Sequence, residues 1–235
     1  MFDPTVREGV LQVRRSGTRW LSTGWAGGFE TAGAAYNVSV PEGWERTDLG
    51  AYVDERRERA AFDVAGPALL TGVDLTHLRG ARSGPVEVFA TAGVSNPAAL
   101  PMAPEEGAAP ATDAAPTGDH AGTVNLIVGT TRALDDAAVA NLLSVAVEAK
   151  TATLLATTGY PGTTTDAVIV GTDPAGEPAP FSGSATEVGA AARACVRDAI
   201  RASLDSRYEG GELPASVAEA DHGVETTRRA SVFVP

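Results

Sequence analysis

Hydrophobic and polar positions divide the chain into short alternating runs and a few long helical stripes. Early on, apolar residues cluster at 10–13 and 19–23, which read as strands separated by the turn chemistry of Arg15-Ser16-Gly17. A glycine-rich turn spans 23–28, and a strand at 35–40 is stopped by Pro41. From 48 to 61 the pattern turns helical, with Asp48 as N-cap and a charged face from Asp54 to Arg59. Strands at 86–90, 122–129 and 166–170 alternate with longer helices at 135–156 and from about 184 to 206. Ser184-Ala185-Thr186-Glu187 opens the second of these with capping-box spacing. Val232-Phe233-Val234 offers a last edge strand. This mixture predicts an α/β class, an α+β layered sandwich with a mixed sheet and two long helices.

At 235 residues the chain makes one domain, 1–235. Residues 98–120 are Pro, Ala, Gly and acid without periodicity, expected as a mobile surface loop. The tail at 207–230 is polar and irregular. No internal repeat is present.

Charge narrows the function classes. Thirty acidic against 18 basic residues give a net charge of −12, which argues against a nucleic-acid partner that needs a basic face. No run approaches the roughly 18 apolar residues of a membrane span, and no secretory leader is recognised, so a cytoplasmic location is expected. One cysteine, Cys195, leaves no internal disulfide and no cysteine-based metal cluster. It falls on the apolar stripe of the last helix, as inert core. The basic residues are 17 Arg and one Lys, and Ala outnumbers Ile by 43 to 3. That bias with the acid excess fits a halophile, where salt screens surface carboxylates; a GC-rich bacterium is the alternative.

The single lysine is the first candidate for chemistry. On a wheel of about 100° per residue, Lys150 lies within the apolar arc of Val139, Leu143, Val147 and Leu154. A lysine there pairs, snorkels or loses its proton. Its compact head and tunable pKa are properties that arginine lacks. Glu148, two residues earlier, points to another face, and meets Lys150 only if the helix borders a cleft. The turn Pro161-Gly162-Thr163-Thr164-Thr165-Asp166 combines glycine, hydroxyls and a carboxylate before a strand, a setting for anion binding or hydroxyl nucleophiles. It equally serves as an ordinary turn. Ala92-Gly93-Val94-Ser95-Asn96-Pro97 places Ser95 and Asn96 at a strand end, where ligand amides are commonly held. The three histidines have no metal-site spacing, and neither a GxSxG elbow nor a P-loop occurs, so no metal ligands are assigned.

Six segments in order, STGWAGG (22–28), TAGVSNP (91–97), GTVN (122–125), VEAKTATL (147–154), GTTTDAVIV (162–170) and FSGSATEVG (181–189), resemble the adenosylcobinamide amidohydrolase family. The resemblance spans roughly residues 20–205. It implies corrinoid salvage for cobalamin biosynthesis: hydrolysis of the amide joining the aminopropanol arm of adenosylcobinamide to the corrin ring, releasing adenosylcobyric acid and 1-amino-2-propanol. No cofactor is required by the sequence, since cobalt arrives with the substrate. The resemblance carries no catalytic roles of its own; from the residues themselves, those assigned to catalysis are Lys150, Glu148, Asp166, Thr165 and Thr163. Those implied for binding the substrate are Gly24, Trp25, Gly27, Gly28, Gly93, Ser95, Asn96, Asn125, Thr186 and Glu187.

An unactivated amide needs a nucleophile, oxyanion stabilisation and an acid for the leaving amine. Two schemes stand. In one, a hydroxyl of Thr163–Thr165 attacks with Lys150 as base. In the other, Glu148 or Asp166 activates water while Lys150 stabilises the oxyanion; this second scheme asks for fewer perturbed pKa values. A corrinoid is a broad disc edged with amides, which calls for a wide cleft. Trp25, Tyr36 and Trp44 offer flat surfaces, and Asn96 and Asn125 offer amide-reading groups. A non-catalytic corrinoid-binding module and an amidohydrolase for a different small amide are the competing readings. A homo-oligomer is also compatible, with 232–234 pairing across a dimer.

Overall fold

Strand β8, Val124–Thr130, shows how the core is organised. All seven residues are buried, as expected of a strand covered on both faces. Val124, Leu126 and Val128 point to a helical layer, and Ile127 to the opposite face. The structure is a computed structural model describing residues 1–41, 44–103, 122–209, 213–214, 216–217, 220 and 223–235.

In chain order the elements are β1 (Asp3–Arg7), β2 (Val10–Ser22), β3 (Gly28–Ser39), α1 (Leu49–Arg59) and β4 (Ala68–Thr71), then a 3-10 turn at Leu75–His77. They continue with β5 (Arg79–Ser83), β6 (Val86–Ala92), β7 (Ala98–Ala99), β8, α2 (Asp136–Thr158), β9 (Ala167–Thr172), α3 (Glu187–Arg207) and β10 (Val224–Glu225). Eight strands form one mixed sheet in the order β4-β3-β2-β9-β8-β6-β5, with β1 also pairing β2. The pairs β3/β4 and β8/β9 are parallel, and the others antiparallel. The expected α/β layered arrangement is therefore present.

Helices α2 and α3 cover one face of β6, β8 and β9 through a cluster that includes Leu142, Ala146, Leu154, Cys195 and Ile200. On the other face Phe89, Ile127 and Ile169 share a cluster with Leu11, Val13, Trp20 and Ala35 of β2 and β3. The sheet thus bends back over itself. The bend is visible in β2, where pairing with β3 jumps from Arg14↔Ala34 to Thr18↔Ala32. Gly17 at φ +73° and a 2.8 Å bond from Thr18 Oγ1 to the Arg15 carbonyl hold this bulge. The turn chemistry of Arg15–Gly17 is real, but it bulges one long strand rather than separating two.

A buried polar network ties the two halves together. Asn125 Nδ2 donates to Asn37 Oδ1 at 3.1 Å and to the Leu70 carbonyl at 2.8 Å. Asn37 Nδ2 donates to Thr91 Oγ1 at 3.0 Å. These bonds satisfy groups that would otherwise be costly to bury and fix β3 and β4 against β6 and β8.

Several terminal assignments change. Helix α2 begins as expected, with Asp135 accepting from Ala138 N at 2.8 Å, and ends at Gly159. Asp48 precedes α1 but makes no side-chain cap, because Arg46 holds its carboxylate. The N-cap of α3 is Thr186, whose hydroxyl accepts from Gly189 N at 3.0 Å, not Ser184. Val232–Val234 pairs with no strand among the described residues, and all three side chains are exposed. The expected loop at 98–120 opens with β7, which pairs in parallel with β10; residues 104–121 lie outside the described residues.

One composition argument is also corrected. An 18-residue window of α2 has mean hydropathy 1.3, so by length and composition that helix is apolar enough to cross a membrane. In the fold it is one of the two helices of the α2–α3 layer, half of that window is buried, and Lys150 lies on its inner side.

Candidate active site

The site is built where the N-terminal ends of β8 and β9 meet two turns. Lys150, in the third quarter of α2, is 6% exposed. Its Nζ is ion-paired with Asp166 Oδ2, and the two side chains are 8% and 11% exposed. The core-facing arc of α2 runs through Leu142, Ala146, Ala149 and Thr153. Leu143 and Val147 lie at its edge, partly buried. Lys150 still falls inside this arc, and it resolves its burial by pairing rather than by snorkelling.

Asp166 is held from four directions. Oδ1 accepts from Val124 N at 3.0 Å and from Thr163 Oγ1 at 2.5 Å. Oδ2 accepts from Thr163 N at 3.1 Å as well as from Lys150. Four donors fill the lone-pair sites of a carboxylate. Gly162 makes this possible, since a Cβ there would lie 2.7 Å from Asp166 Oδ2 and 3.1 Å from Lys150 Nζ.

The 91–97 turn docks on the threonine turn. Asn96 is fully buried, and its Nδ2 donates to Thr164 Oγ1 at 2.7 Å and to Thr165 Oγ1 at 3.3 Å. Backbone bonds from Thr164 N to the Asn96 carbonyl (3.2 Å) and from Ala98 N to the Gly162 carbonyl (3.0 Å) run alongside. Thr165 Oγ1 also donates to the Gly122 carbonyl at 3.1 Å and lies 2.8 Å from Thr123 Oγ1. Ser95 Oγ and Asn96 Oδ1 are buried without a partner among the described residues. Gly93 packs against the Arg207 guanidinium.

A cavity of about 380 Å³ opens beside this centre. Thr123, Thr165 and Asp166 supply polar lining, and Val40, Pro41, Leu49, Val53, Leu69 and Leu70 apolar lining. Trp25, Gly24 and Trp44 also line it. The 23–28 turn is anchored to β9 by reciprocal bonds between Thr23 and Val168, which keeps Trp25 near Asp166 in the chain's path. Trp25 is half-exposed, and its ring edge rests on Gly50 of α1, where a Cβ would lie 2.8 Å away. Gly27 closes the turn with a 3.0 Å bond to the Gly24 carbonyl, and Gly28 starts β3.

Lys150, Asp166, Thr163, Thr165, Asn96, Gly24 and Trp25 are thus gathered, while Asn125 lies behind the cavity in the buried network. Glu148 is not gathered: it is exposed and faces Arg193 of α3 at 3.5 Å, as its offset from Lys150 on the helix requires. Thr186 and Glu187 are not gathered either. They open α3, where Glu187 pairs with Arg132 at 2.8 Å. Arg207 ends the same helix against Gly93, roughly 30 Å away at 1.5 Å per residue. Tyr36 is core, its hydroxyl bonded to Gln12 and the Val64 carbonyl, and it offers no surface to the cavity. Sequence reasoning gave no site role to Thr123 or to the Val124 N–H, and it read Gly162 only as one glycine of the threonine turn. Among the described residues no group of three or more His, Cys, Asp and Glu side chains is gathered in one place.

Comparison with known proteins places this geometry in context. A profile described as adenosylcobinamide amidohydrolase matches residues 3–212. A protein of that name from Halobacterium salinarum is 56% identical over 237 residues, covering all of both chains. A second, from Methanosarcina mazei, is 28% identical over 200 residues, covering 80% of this chain and 91% of the relative. The chain belongs to the adenosylcobinamide amidohydrolase family.

Proposed function

We propose that the chain hydrolyses the aminopropanol amide of adenosylcobinamide at the Lys150–Asp166 pair, releasing adenosylcobyric acid and 1-amino-2-propanol. The observation that carries this reading is the buried ion pair whose carboxylate lines the cavity. A non-catalytic binding module has no need of a charged pair in that place. The cavity, at about 380 Å³, suits the amide-bearing arm and one edge of the corrin rather than the whole disc.

With its four acceptor sites filled, Asp166 meets a water only after one donor leaves. Lys150 is the donor on a flexible stem; the other three belong to the backbone or to the buried Thr163. Lys150 therefore moves from Oδ2 to the substrate carbonyl oxygen, where its charge stabilises the oxyanion. The freed Oδ2 takes a proton from water as the water oxygen bonds to the carbonyl carbon. On collapse, Asp166 returns that proton to the amide nitrogen, the C–N bond breaks, and amine and acid leave. Thr163 fixes the carboxylate throughout. Thr165 has its hydroxyl engaged with Gly122, Thr123 and Asn96, and it shapes the cavity rather than attacking.

Single-turnover hydrolysis with added hydroxylamine tests the route. Attack by water yields only the acid. Corrinoid hydroxamate in the product would instead show an acyl-enzyme and move the nucleophile to a threonine hydroxyl.

The acid excess and the similarity to a halobacterial protein support a chain adapted to a high-salt interior. Activity and melting temperature are then expected to rise from dilute buffer to molar salt as surface repulsion is screened.

A further inference from the structure

Helix α2 turns toward solvent a face unlike the rest of this acidic chain. After Asp136 its outward positions carry one charge, Glu148, although the chain as a whole has a net charge of −12. Leu155 on that face is 49% exposed. Beside it, α3 presents Arg193, Arg197 and Arg201 at four-residue spacing, one row on one side of a helix. A groove of about 570 Å³ lies between the two helices, with Ala149, Ala152 and Ala156 on one wall and the arginine row on the other. Acid-poor, apolar and edged by arginine, this face has the composition of an interface core and rim rather than of a solvated helix. It is separate from the Lys150–Asp166 pair, since Lys150 lies on the inner side of α2.

The charges identify the occupant. Helices α2 and α3 run side by side in the same direction, because Glu148 faces Arg193 while Thr157 lines one recess with Arg201. Glu148 and Arg201 therefore mark opposite ends of the groove, about 12 Å apart along the helix axes at 1.5 Å per residue. A two-fold axis over Ala152 and Arg197 lays α3 of a second copy antiparallel across α2 of the first. Arg201 of each copy then meets Glu148 of the other. Within its own chain Arg201 forms no salt bridge among the described residues, and Glu148 stands 3.5 Å from Arg193. We infer that the α2–α3 face is an isologous interface between two copies of this chain, with α2 of each packed on α3 of the other. Two helices about 30 Å long and about 20 Å across offer an area of the order of the ~800 Å² per partner of a standard interface. Over the rest of their surface two such acidic copies repel each other, and here they do not. The inference stands apart from the hydrolytic reading.

The test is sedimentation velocity over a concentration series, in dilute buffer and in molar KCl. The parent chain is expected to be a dimer in molar salt, with a dissociation constant about ten-fold higher in dilute buffer, where the acid excess is less screened. Ala152→Arg sets a cation beside Arg197 at the two-fold axis and should raise Kd by about 100-fold or more, with folding checked by circular dichroism. Arg201→Glu alone should raise Kd about ten-fold, and adding Glu148→Arg should bring it back to within about three-fold of the parent. That rescue has no source within one chain, because the two positions stand at opposite ends of the groove. A parent chain that stays monomeric in molar salt would overturn the inference and leave the face to a different partner. A dimer that Ala152→Arg leaves intact would overturn it as well, placing the contact elsewhere, as at the exposed 232–234. Reversed charges that give no rescue would overturn the two-fold arrangement.

Discussion

Lys150 and Asp166, sixteen residues apart in sequence, form an ion pair at the edge of the cavity, with both side chains about nine-tenths buried. Removing one partner leaves an uncompensated buried charge, at a cost of about 3–5 kcal/mol. Lys150→Met and Asp166→Asn should each lower stability on that scale. The double variant should lose less than the sum of the two. Urea unfolding of all four proteins gives the coupling energy, and strict additivity would contradict the pairing.

Gly162 stands close enough to the pair for a methyl group to collide with it. Gly162→Ala should therefore push Asp166 from its donors and lower kcat at least ten-fold. The effect on stability should be smaller, because the collision is local to a turn. Steady-state kinetics beside a thermal melt checks this.

Part of this site was legible in the sequence, and the reasons are physical. Lys150 stood out because it is the one lysine among 18 basic residues and lies on an apolar arc. The Thr163–Asp166 turn was visible as hydroxyls and a carboxylate before a strand. Their meeting was not, since it depends on α2 crossing behind β9. Val124 N–H is a backbone donor, which no sequence pattern announces. The resemblance also carried Thr186 and Glu187 toward the site. Their place at the far end of α3 shows that a shared motif marks a helix start as readily as a ligand contact. In the fold, the runs at 86–90, 122–129 and 166–170 were readable because strands covered on both faces are mostly apolar, with Glu87 and Asn125 among the buried polar exceptions. Strands β1, β4 and β5 were missed: β1 and β5 are largely exposed and polar, and β4 is four residues long.

Glu148 and Glu187 sit away from the pair, in ion contact with Arg193 and Arg132. Glu148→Gln and Glu187→Gln should leave turnover within two-fold of the parent. A loss of ten-fold or more in either would place a catalytic role where the geometry shows none.

Cys195 is packed between α3 and β6, and burial pushes its thiol up to about 11. The native protein should therefore resist a disulfide thiol reagent at pH 8 and react fully once unfolded. The raised value keeps the thiol neutral in the fold. Its contribution to stability is complete below the ordinary value of 9.0 and is lost as pH climbs toward 11. Fast labelling of the folded chain at pH 8 would contradict the burial.

The most direct measurement is adenosylcobyric acid release from adenosylcobinamide, followed by mass spectrometry in molar salt, for the parent chain and Asp166→Asn. The parent should form product, and the variant, shown folded by its melt, should be slower by about 10²-fold or more, the range for loss of a general base. Equal rates in the two proteins, or no product from a folded parent chain, would contradict the account.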